Sequence, residues 1–162
     1  MIPVMSNLKL SSDTTRILRH LVASIAFRAS RSLRDAPAGF ESVRLAGEGM
    51  SANELIVHMT NVIAFALAAV TNTERVRHNA ETWGENVERF YGLLGELDAQ
   101  LAEGASLEPG IDLRLVQGPL ADTLTHIGQL HALRRAGGAP ITAINYLKAD
   151  VQIGRIALGD QR

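Results

Sequence analysis

The chain has 162 residues, no cysteine and a formal net charge of −1 at pH 7. The absence of cysteine excludes disulfides, thiolate metal sites and cysteine nucleophiles, and it is typical of a reducing cytoplasm. The near-neutral charge disfavours nucleic acid as a partner, and 46% hydrophobic with 20% charged residues is typical of a soluble globular protein.

The length predicts one domain over residues 1–162. The first ten residues, MIPVMSNLKL, lack a basic region followed by an apolar run, so no signal peptide is predicted. The longest apolar stretch, residues 55–70, contains His58, Thr60 and Asn61 and is too short and too polar for a membrane span. We therefore expect a cytoplasmic protein without a membrane partner.

A first helix is predicted over residues 11–35. It begins with Ser-Ser-Asp, which are good N-cap residues, and its end is marked by Ala-Pro-Ala-Gly at 36–39. Apolar residues recur along it at roughly helical spacing: Ile17, Leu18, Leu21, Ile25 and Leu33. Residues 36–50 show no sustained period and predict a loop, which is longer than a simple helical bundle needs.

A second helix is predicted over residues 51–71. Ser51 with Glu54 three residues later is a capping box. His58 lies three residues after Leu55 and four before Val62, so we expect it at the edge of the buried face. That face is a strong helical stripe: Leu55, Met59, Val62, Ile63, Ala66, Leu67 and Val70.

The polar residues 72–82 predict a linker, and a third helix is predicted over residues 83–103. Six apolar residues mark its inner face: Val87, Phe90, Tyr91, Leu94, Leu97 and Leu101. Residues 104–117 contain two glycines and a proline and predict another loop.

The fourth long helix is predicted within residues 118–140. It begins at Gly118 and Pro119 and stops at Gly137 and Gly138, since proline in the first turn and glycine after the last are ordinary helix boundaries. Residues 141–149 are interpreted as a short fifth helix. Four long amphipathic helices without a strand signal predict an all-α four-helix bundle with a short C-terminal helix.

The fourth helix carries an acid and a histidine four residues apart, Asp122 and His126. Both side chains fall on one face, one turn apart, a geometry used by metal sites on helices. His58 is the candidate third ligand, and three protein ligands are typical of a catalytic metal site. Imidazole and carboxylate suit zinc, nickel, iron or manganese. The spacing equally permits a surface Asp–His pair and a structural His58, because nothing in it fixes that His58 faces Asp122.

The other histidines are interpreted without a metal. His78 lies in the polar linker and is interpreted as solvated. His131 is about 140° around the helix from His126 and is interpreted as a packed or interface residue. His20 has no partner evident in the sequence. No nucleophile elbow, phosphate-binding loop or pair of glycosidase acids is present, so no catalytic residue and no residue that binds an organic cofactor is assigned.

Two segments resemble the DinB-like (DinB/YfiT) superfamily: Leu-Ile-Val-His-Met at 55–59, and His-Ile-Gly-Gln at 126–129 followed by Leu-Arg-Arg-Ala-Gly at 133–137. The signature of that family is a histidine early in helix two and two histidines four apart on a late helix. The second of these leads into an H-x-G-Q segment that continues to Leu-Arg and a glycine. The resemblance spans nearly the whole chain in the order and length of its helices. It implies an up-down-down-up four-helix bundle, often dimeric, with a divalent metal held by three side chains.

Carried over by position, the metal ligands are His58 and His126, and Asp122 stands where the family has its first late-helix histidine. Aspartate is a competent oxygen ligand, so the resemblance implies a site of two histidines and one aspartate. Such a site is harder and more negative, which shifts its preference from zinc or nickel towards iron or manganese. The same departure also fits weakened or lost metal binding. The arginine common after the second histidine is Ile127 here.

Further residues near these segments have two interpretations each. Gln129 lies one turn on from His126 and either orients that histidine or binds helix-end backbone. Arg134 and Arg135 suit the helix dipole better than an anionic substrate. Asn145 and Tyr146 either line a pocket mouth or, in the case of Tyr146, pack with the hydroxyl in water.

The predicted function is a divalent-metal-dependent enzyme of the DinB-like group, either a hydrolase or a thiol-dependent transferase, acting on an unidentified small molecule. The metal would act as a Lewis acid or would activate a bound water or thiol. The alternative is a non-catalytic dimeric helical bundle with a binding or stress-associated role, in which His58, Asp122 and His126 are polar core residues. A cytoplasmic homodimer without nucleic acid is expected.

Overall fold

The computed structural model describes residues 8–45, 49–80 and 82–160. The predicted all-α class is confirmed. Residues 46–48 of the predicted loop, and most of the segment on which the prediction of no signal peptide rests, lie outside the described ranges. The helices are α1 (Ser12–Leu33), α2 (Ala52–Thr71), α3 (Trp83–Ala102), the short α4 (Ile111–Leu115) and α5 (Ala121–Ala136).

The first three helices begin at hydroxyl residues that cap them. The hydroxyl of Ser11 accepts a backbone N–H at the start of α1. Ser51 and Glu54 form the predicted capping box, each side chain accepting the backbone N–H of the other, and Thr82 and Glu85 form a second one at α3. These caps satisfy N–H groups that have no partner within the helix and contribute about 0.5–2 kcal/mol each.

Hydrogen bonds between helices fix the direction of α1 relative to α3. Arg19 near the start of α1 donates two hydrogen bonds to Asp98 near the end of α3. Further along α1, the carbonyl of Ala26 accepts the hydroxyl proton of Tyr91, which lies earlier in α3. The two helices are therefore antiparallel.

The direction of α5 relative to α1 follows in the same way. Nε2 of His131 lies 3.2 Å from the carbonyl of Arg28, and Arg134 donates to the carbonyl of Ser32. Ser32 lies after Arg28 in α1, and its partner Arg134 lies after His131 in α5. The two helices are therefore parallel.

The second and third helices are parallel to each other, because the amide of Asn86 at the start of α3 donates to Asn53 at the start of α2. The chain between them must therefore return along α2, whose 20 residues span about 30 Å. We call residues 73–80 the return segment. Asn61 binds both backbone groups of His78 in it, and Asn86 binds both backbone groups of Ala80. Among the long helices, α1 and α5 therefore run in one direction and α2 and α3 in the other.

The core lies between α1, α2, α3 and α5. All six apolar residues predicted for the inner face of α3 are buried, as are most of those predicted for α2. The prediction is wrong for Ile17, which is 58% exposed. It lies about 100° around α1 from the buried stripe that contains Leu18 and Val22.

The predicted start of the last long helix is wrong. α4 continues through a π-helical turn, Val116–Leu120, directly into α5, so helical backbone begins at Ile111 and part of the predicted loop 104–117 is helical. Pro119 lies inside the π-turn. Proline has no N–H to donate and clashes with the carbonyl four residues back, and the wider turn accommodates it. The predicted end at the two glycines is confirmed.

The predicted short helix over residues 141–149 is wrong. This segment contains one 3-10 turn, Tyr146–Lys148, and is otherwise irregular. The side chain of Asn145 accepts the N–H of Leu147, a local hydrogen bond that competes with helix formation.

Segments outside the long helices are also held to the rest of the fold, near both ends of the described chain. β1 (Leu8–Lys9) and β2 (Ser106–Leu107) pair antiparallel and join the chain before α1 to the loop after α3. Near the C-terminus, Ile156 is buried and the carbonyl of Leu158 accepts a hydrogen bond from Arg34. The segment after α5 therefore packs back onto the helices.

By length and composition alone, α2 is long and apolar enough to cross a membrane, contrary to the prediction made for residues 55–70. Nine of its residues are buried in the folded chain. The core of a soluble helical domain accounts for this apolarity.

Candidate metal centre

Two helices bring the three predicted ligands together. His58 lies in the second turn of α2, directly before the buried Met59, and Asp122 lies in the first turn of α5. Pro119 and Leu120 of the π-turn are buried, which anchors the start of α5 against the core. α2 and α5 contact each other, so Asp122 faces His58 although 64 residues separate them.

Asp122 bridges the two histidines. Its Oδ2 lies 3.3 Å from Nε2 of His58, and its Oδ1 lies 3.4 Å from Nε2 of His126. The two imidazole rings are 4.5 Å apart between centroids and nearly perpendicular. The side chains of His58 and Asp122 are 39% and 45% exposed, and that of His126 is 12% exposed. One side of the cluster is therefore open to solvent.

Gln129 fixes the orientation of His126. Nδ1 of His126 lies 2.8 Å from Oε1 of Gln129. An amide oxygen is an acceptor, so in this contact Nδ1 of His126 is the donor and Nε2 is the atom turned towards Asp122. Of the two roles predicted for Gln129, the hydrogen bond to the histidine is the one present.

The carboxylate of Asp122 and the imidazole of His126 also meet within one turn of α5. Nε2 of His126 lies 3.4 Å from Oδ1 of Asp122. Both are atoms that bind a cation, which is either a shared proton or a metal ion.

The distances fit a divalent metal. Two ligands that are each about 2.1 Å from a tetrahedral metal lie about 3.4 Å apart. Each histidine nitrogen lies at about that separation from a different oxygen of Asp122, His58 at 3.3 Å from Oδ2 and His126 at 3.4 Å from Oδ1. The ligand atoms of His58, Asp122 and His126 all lie within 4.8 Å of one another. Closing the widest pair would thus require a shift of at most about 1.4 Å.

Two clefts meet at His58, and the first of them also reaches Asp122. The first cleft, with a volume of about 620 Å³, lies between α2 and the π-turn with the start of α5, and its apolar lining includes Val62, Phe65 and Pro119. The second cleft, of about 520 Å³, lies between α2 and the return segment and has a mainly polar lining. Three residues line both clefts: His58, Asn61 and Arg75.

Sequence reasoning missed three residues of these clefts. Asn61 is a polar residue inside an apolar stripe, one turn after His58, and that position is a signal that could have found it. Phe65, one turn further, is 51% exposed although its neighbours in α2 are buried. Arg75 lies in the irregular return segment, where no periodicity points to a partner.

The remaining histidines lie away from the cluster. His131 is half-buried and contacts the carbonyl of Arg28, which agrees with the predicted packing role. His20 is exposed on α1. The interpretation of His78 as solvated is wrong, because it is half-buried and its ring contacts Arg89. Burial and the charge of Arg89 lower the pKa of His78.

Arg134 is buried and holds backbone at the end of α1. Its guanidinium donates to the carbonyls of Ser32, Arg34 and Ala139. Two of these carbonyls lie at the C-terminal end of α1, so the cation binds the end of a neighbouring helix, a contact that the prediction for the dipole of its own helix did not include.

Tyr146 packs against α1. Its ring meets that of Phe27 edge to face, with centroids 6.5 Å apart, and the guanidinium carbon of Arg28 lies 3.7 Å from its centre. Neither Tyr146 nor Asn145 lines either cleft beside the cluster. Of the two interpretations of Tyr146, packing is the one present.

Comparison of the chain with protein-family models, with curated proteins and with solved structures finds no significant match. The resemblance to the DinB-like superfamily therefore rests on the segments at 55–59 and 126–137 and on the order of the helices.

Proposed function

We propose that the chain is a divalent-metal-dependent enzyme of the DinB-like group in which His58, Asp122 and His126 hold the metal. The observation that carries the proposal is the convergence of three ligand atoms within 4.8 Å from two different helices. A surface Asp–His pair at helical spacing does not need a third ligand from another helix. The hydrogen bond from His126 to Gln129 adds support, because metal-binding histidines usually donate their second N–H to such a partner.

The residues around the cluster suit a catalytic site better than a structural one. Three protein ligands leave at least one coordination position free, and the exposed side of Asp122 adjoins the first cleft. A bound divalent ion supplies Lewis-acid chemistry and activates a bound water or thiol. The proposed reaction is accordingly hydrolysis or thiol-dependent group transfer on a small molecule held in the clefts.

The donor set bears on which metal is bound. Zinc, nickel, iron and manganese all accept imidazole nitrogen, and two histidines with one carboxylate is a set typical of non-haem Fe(II). The aspartate at position 122 adds a hard, charged oxygen ligand. We propose iron or manganese ahead of zinc or nickel.

A second candidate function is supported by the contact of His58 with Asp122. Nε2 of His58 and Oδ2 of Asp122 are within hydrogen-bond distance, at 3.3 Å. A protonated His126 would then compensate the charge at Oδ1. In this case the three residues are a polar cluster, and the chain is a non-catalytic helical bundle with a binding or stress-associated role.

Elemental analysis of the purified, untagged protein after gel filtration separates the two candidates. We expect one divalent metal per chain, and loss of that metal in the double variant His58→Ala with His126→Ala. His20→Ala is the matched control, because His20 is exposed and lies outside the cluster. A folded chain that refuses added zinc, nickel, iron and manganese would overturn the metal proposal and favour the polar cluster.

Oligomeric state and location are proposed on other grounds. The resemblance implies a homodimer, which gel filtration with light scattering tests on the same sample. The absence of cysteine supports a cytoplasmic location.

A further inference from the structure

Arg75 is a cation that lies beside the candidate metal centre. It lies in the return segment and lines both clefts, together with His58 and Asn61. The backbone of the return segment is fixed three residues later, where Asn61 binds the N–H and the carbonyl of His78. Arg75 is thus a cation placed on the far wall of the clefts from α2.

Arg75 has no partner in the part of the chain that the structure describes. It makes no hydrogen bond or ion pair with any residue of the ranges 8–45, 49–80 and 82–160. Two carboxylates line the clefts, and both are already engaged: Asp122 faces the two imidazoles, and Glu54 binds Arg44 and the backbone N–H of Ser51. The guanidinium is therefore available to an external anion.

The net charge of the clefts also favours an anion. A divalent ion held by one aspartate and two neutral histidines leaves a charge of about +1 at the centre, and a bound ion dominates the field of such a site. Arg75 adds a second positive charge, and Arg77 in the second cleft adds a third.

The opposite side of the first cleft is apolar. Val62 and Phe65 follow His58 along α2, and Pro119 of the π-turn faces them. Phe65 is 51% exposed, which leaves a large aromatic surface open in the cleft. An apolar group bound there would remove this surface from water, at about 25 cal/mol per Å².

Resting on the proposed metal-dependent function, we infer that the substrate is a carboxylate with an apolar body. Its carboxylate binds Arg75, its apolar part lies against Phe65, and its reacting group lies at the cluster of His58, Asp122 and His126. A guanidinium binds carboxylate through two parallel hydrogen bonds, which gives orientation as well as affinity. Arg75 is accordingly a substrate-binding residue that selects for charge.

Binding of paired probes to the metal-loaded full-length protein tests this inference. Phenylacetate, 4-phenylbutyrate and hexanoate are each compared with their neutral amides by isothermal titration calorimetry. The Arg75→Gln variant should weaken binding of the carboxylates by about 10- to 100-fold, because a hydrogen bond to a charged group is worth about 1.5–3 kcal/mol. Binding of the amides should not change. Phe65→Ala should weaken both members of each pair that carries a phenyl group.

Arg114→Gln is the matched control, since it removes the same charge from an exposed residue outside both clefts. Elemental analysis accompanies each titration. A metal-loaded protein whose carboxylate binding is the same in Arg75→Gln, or that binds none of the three carboxylates, would overturn the inference and leave the metal proposal standing. A wild-type protein that takes up no metal would overturn both, and the elemental analysis shows which case applies.

Discussion

Asn61 in α2 binds both backbone groups of His78: its amide oxygen accepts the N–H at 2.9 Å, and its amide nitrogen donates to the carbonyl at 2.7 Å. The side chain of Asn61 thereby satisfies both backbone hydrogen-bonding groups of His78, as a neighbouring β-strand would. The bond ties the wall that carries Arg75 to the helix that carries His58. The geometry of both clefts therefore depends on this pair.

We expect Asn61→Ala to destabilise the fold by about 2 kcal/mol, because it leaves two partly buried backbone groups of the return segment without partners. Urea denaturation followed by circular dichroism measures this change. Asn79→Ala is the control, since Asn79 is exposed in the same segment and should change stability by less than about 0.5 kcal/mol. Equal denaturation midpoints for the two variants would show that the return segment is held in another way.

Asp122→His should retain or tighten zinc binding, because it replaces the proposed oxygen ligand by histidine, which stands at this position in the DinB-like signature that the chain resembles. The preference for iron or manganese over zinc should fall, since imidazole is a softer ligand than carboxylate. Competition between the metals, followed by elemental analysis, measures the preference of each protein. Loss of every metal from the variant would mean that Asp122 is not a ligand.

Gln129→Leu should weaken metal binding by about 10- to 100-fold without changing stability, because it removes the acceptor that orients His126 while Gln129 itself is exposed. Gln129→Glu keeps an acceptor at the same position and should retain the affinity. Titration with a chromophoric chelator as competitor measures both. If leucine and glutamate have the same effect, the hydrogen bond to Nδ1 does not support the site.

Acid should destabilise the fold in part through His131. Burial lowers its pKa, and the charges of Arg31, Arg28 and Arg135 lower it further, against the opposing effect of the hydrogen bond to the carbonyl of Arg28. The unfolded chain, with a pKa of about 6.5 at this residue, therefore binds the proton more readily than the folded chain. The contribution of His131 to stability is complete above about pH 6.5 and is lost as the pH falls below that value.

Denaturation of wild type and His131→Gln between pH 5 and 8 measures this contribution. The variant should lose less stability than wild type between pH 6.5 and 5. His20→Gln, which replaces an exposed histidine on α1, should follow the wild-type curve. Parallel curves for wild type and His131→Gln would contradict the expectation.

Much of the fold can be predicted from local signals. The capping box of Ser51 and Glu54 places the start of α2 correctly, and the apolar stripe of α3 places its buried face correctly. The π-turn cannot be predicted in this way, because a helical wheel assumes a uniform turn. Pro119 indicates a helix start by rule, whereas the fold absorbs it inside a wider turn.

The candidate site also has one part that local signals predict and one part that they do not. That Asp122 and His126 share a face follows from their spacing alone. That His58 faces them depends on the packing of α2 against α5, which no local pattern encodes. Arg75 reaches the clefts only because α2 and α3 are parallel and the chain must return between them.

The parallel packing of α2 and α3 bears on the order in which the chain folds. Two sequential helices that are joined by a short loop can form an antiparallel hairpin early in folding. By contrast, α2 and α3 align only after the return segment has crossed the length of α2. Folding then depends on contacts between residues far apart in sequence, such as those between α1 and α3 in the folded chain. We expect slower folding than in a bundle of antiparallel sequential helices of the same size, because chain closure precedes the stabilising contacts.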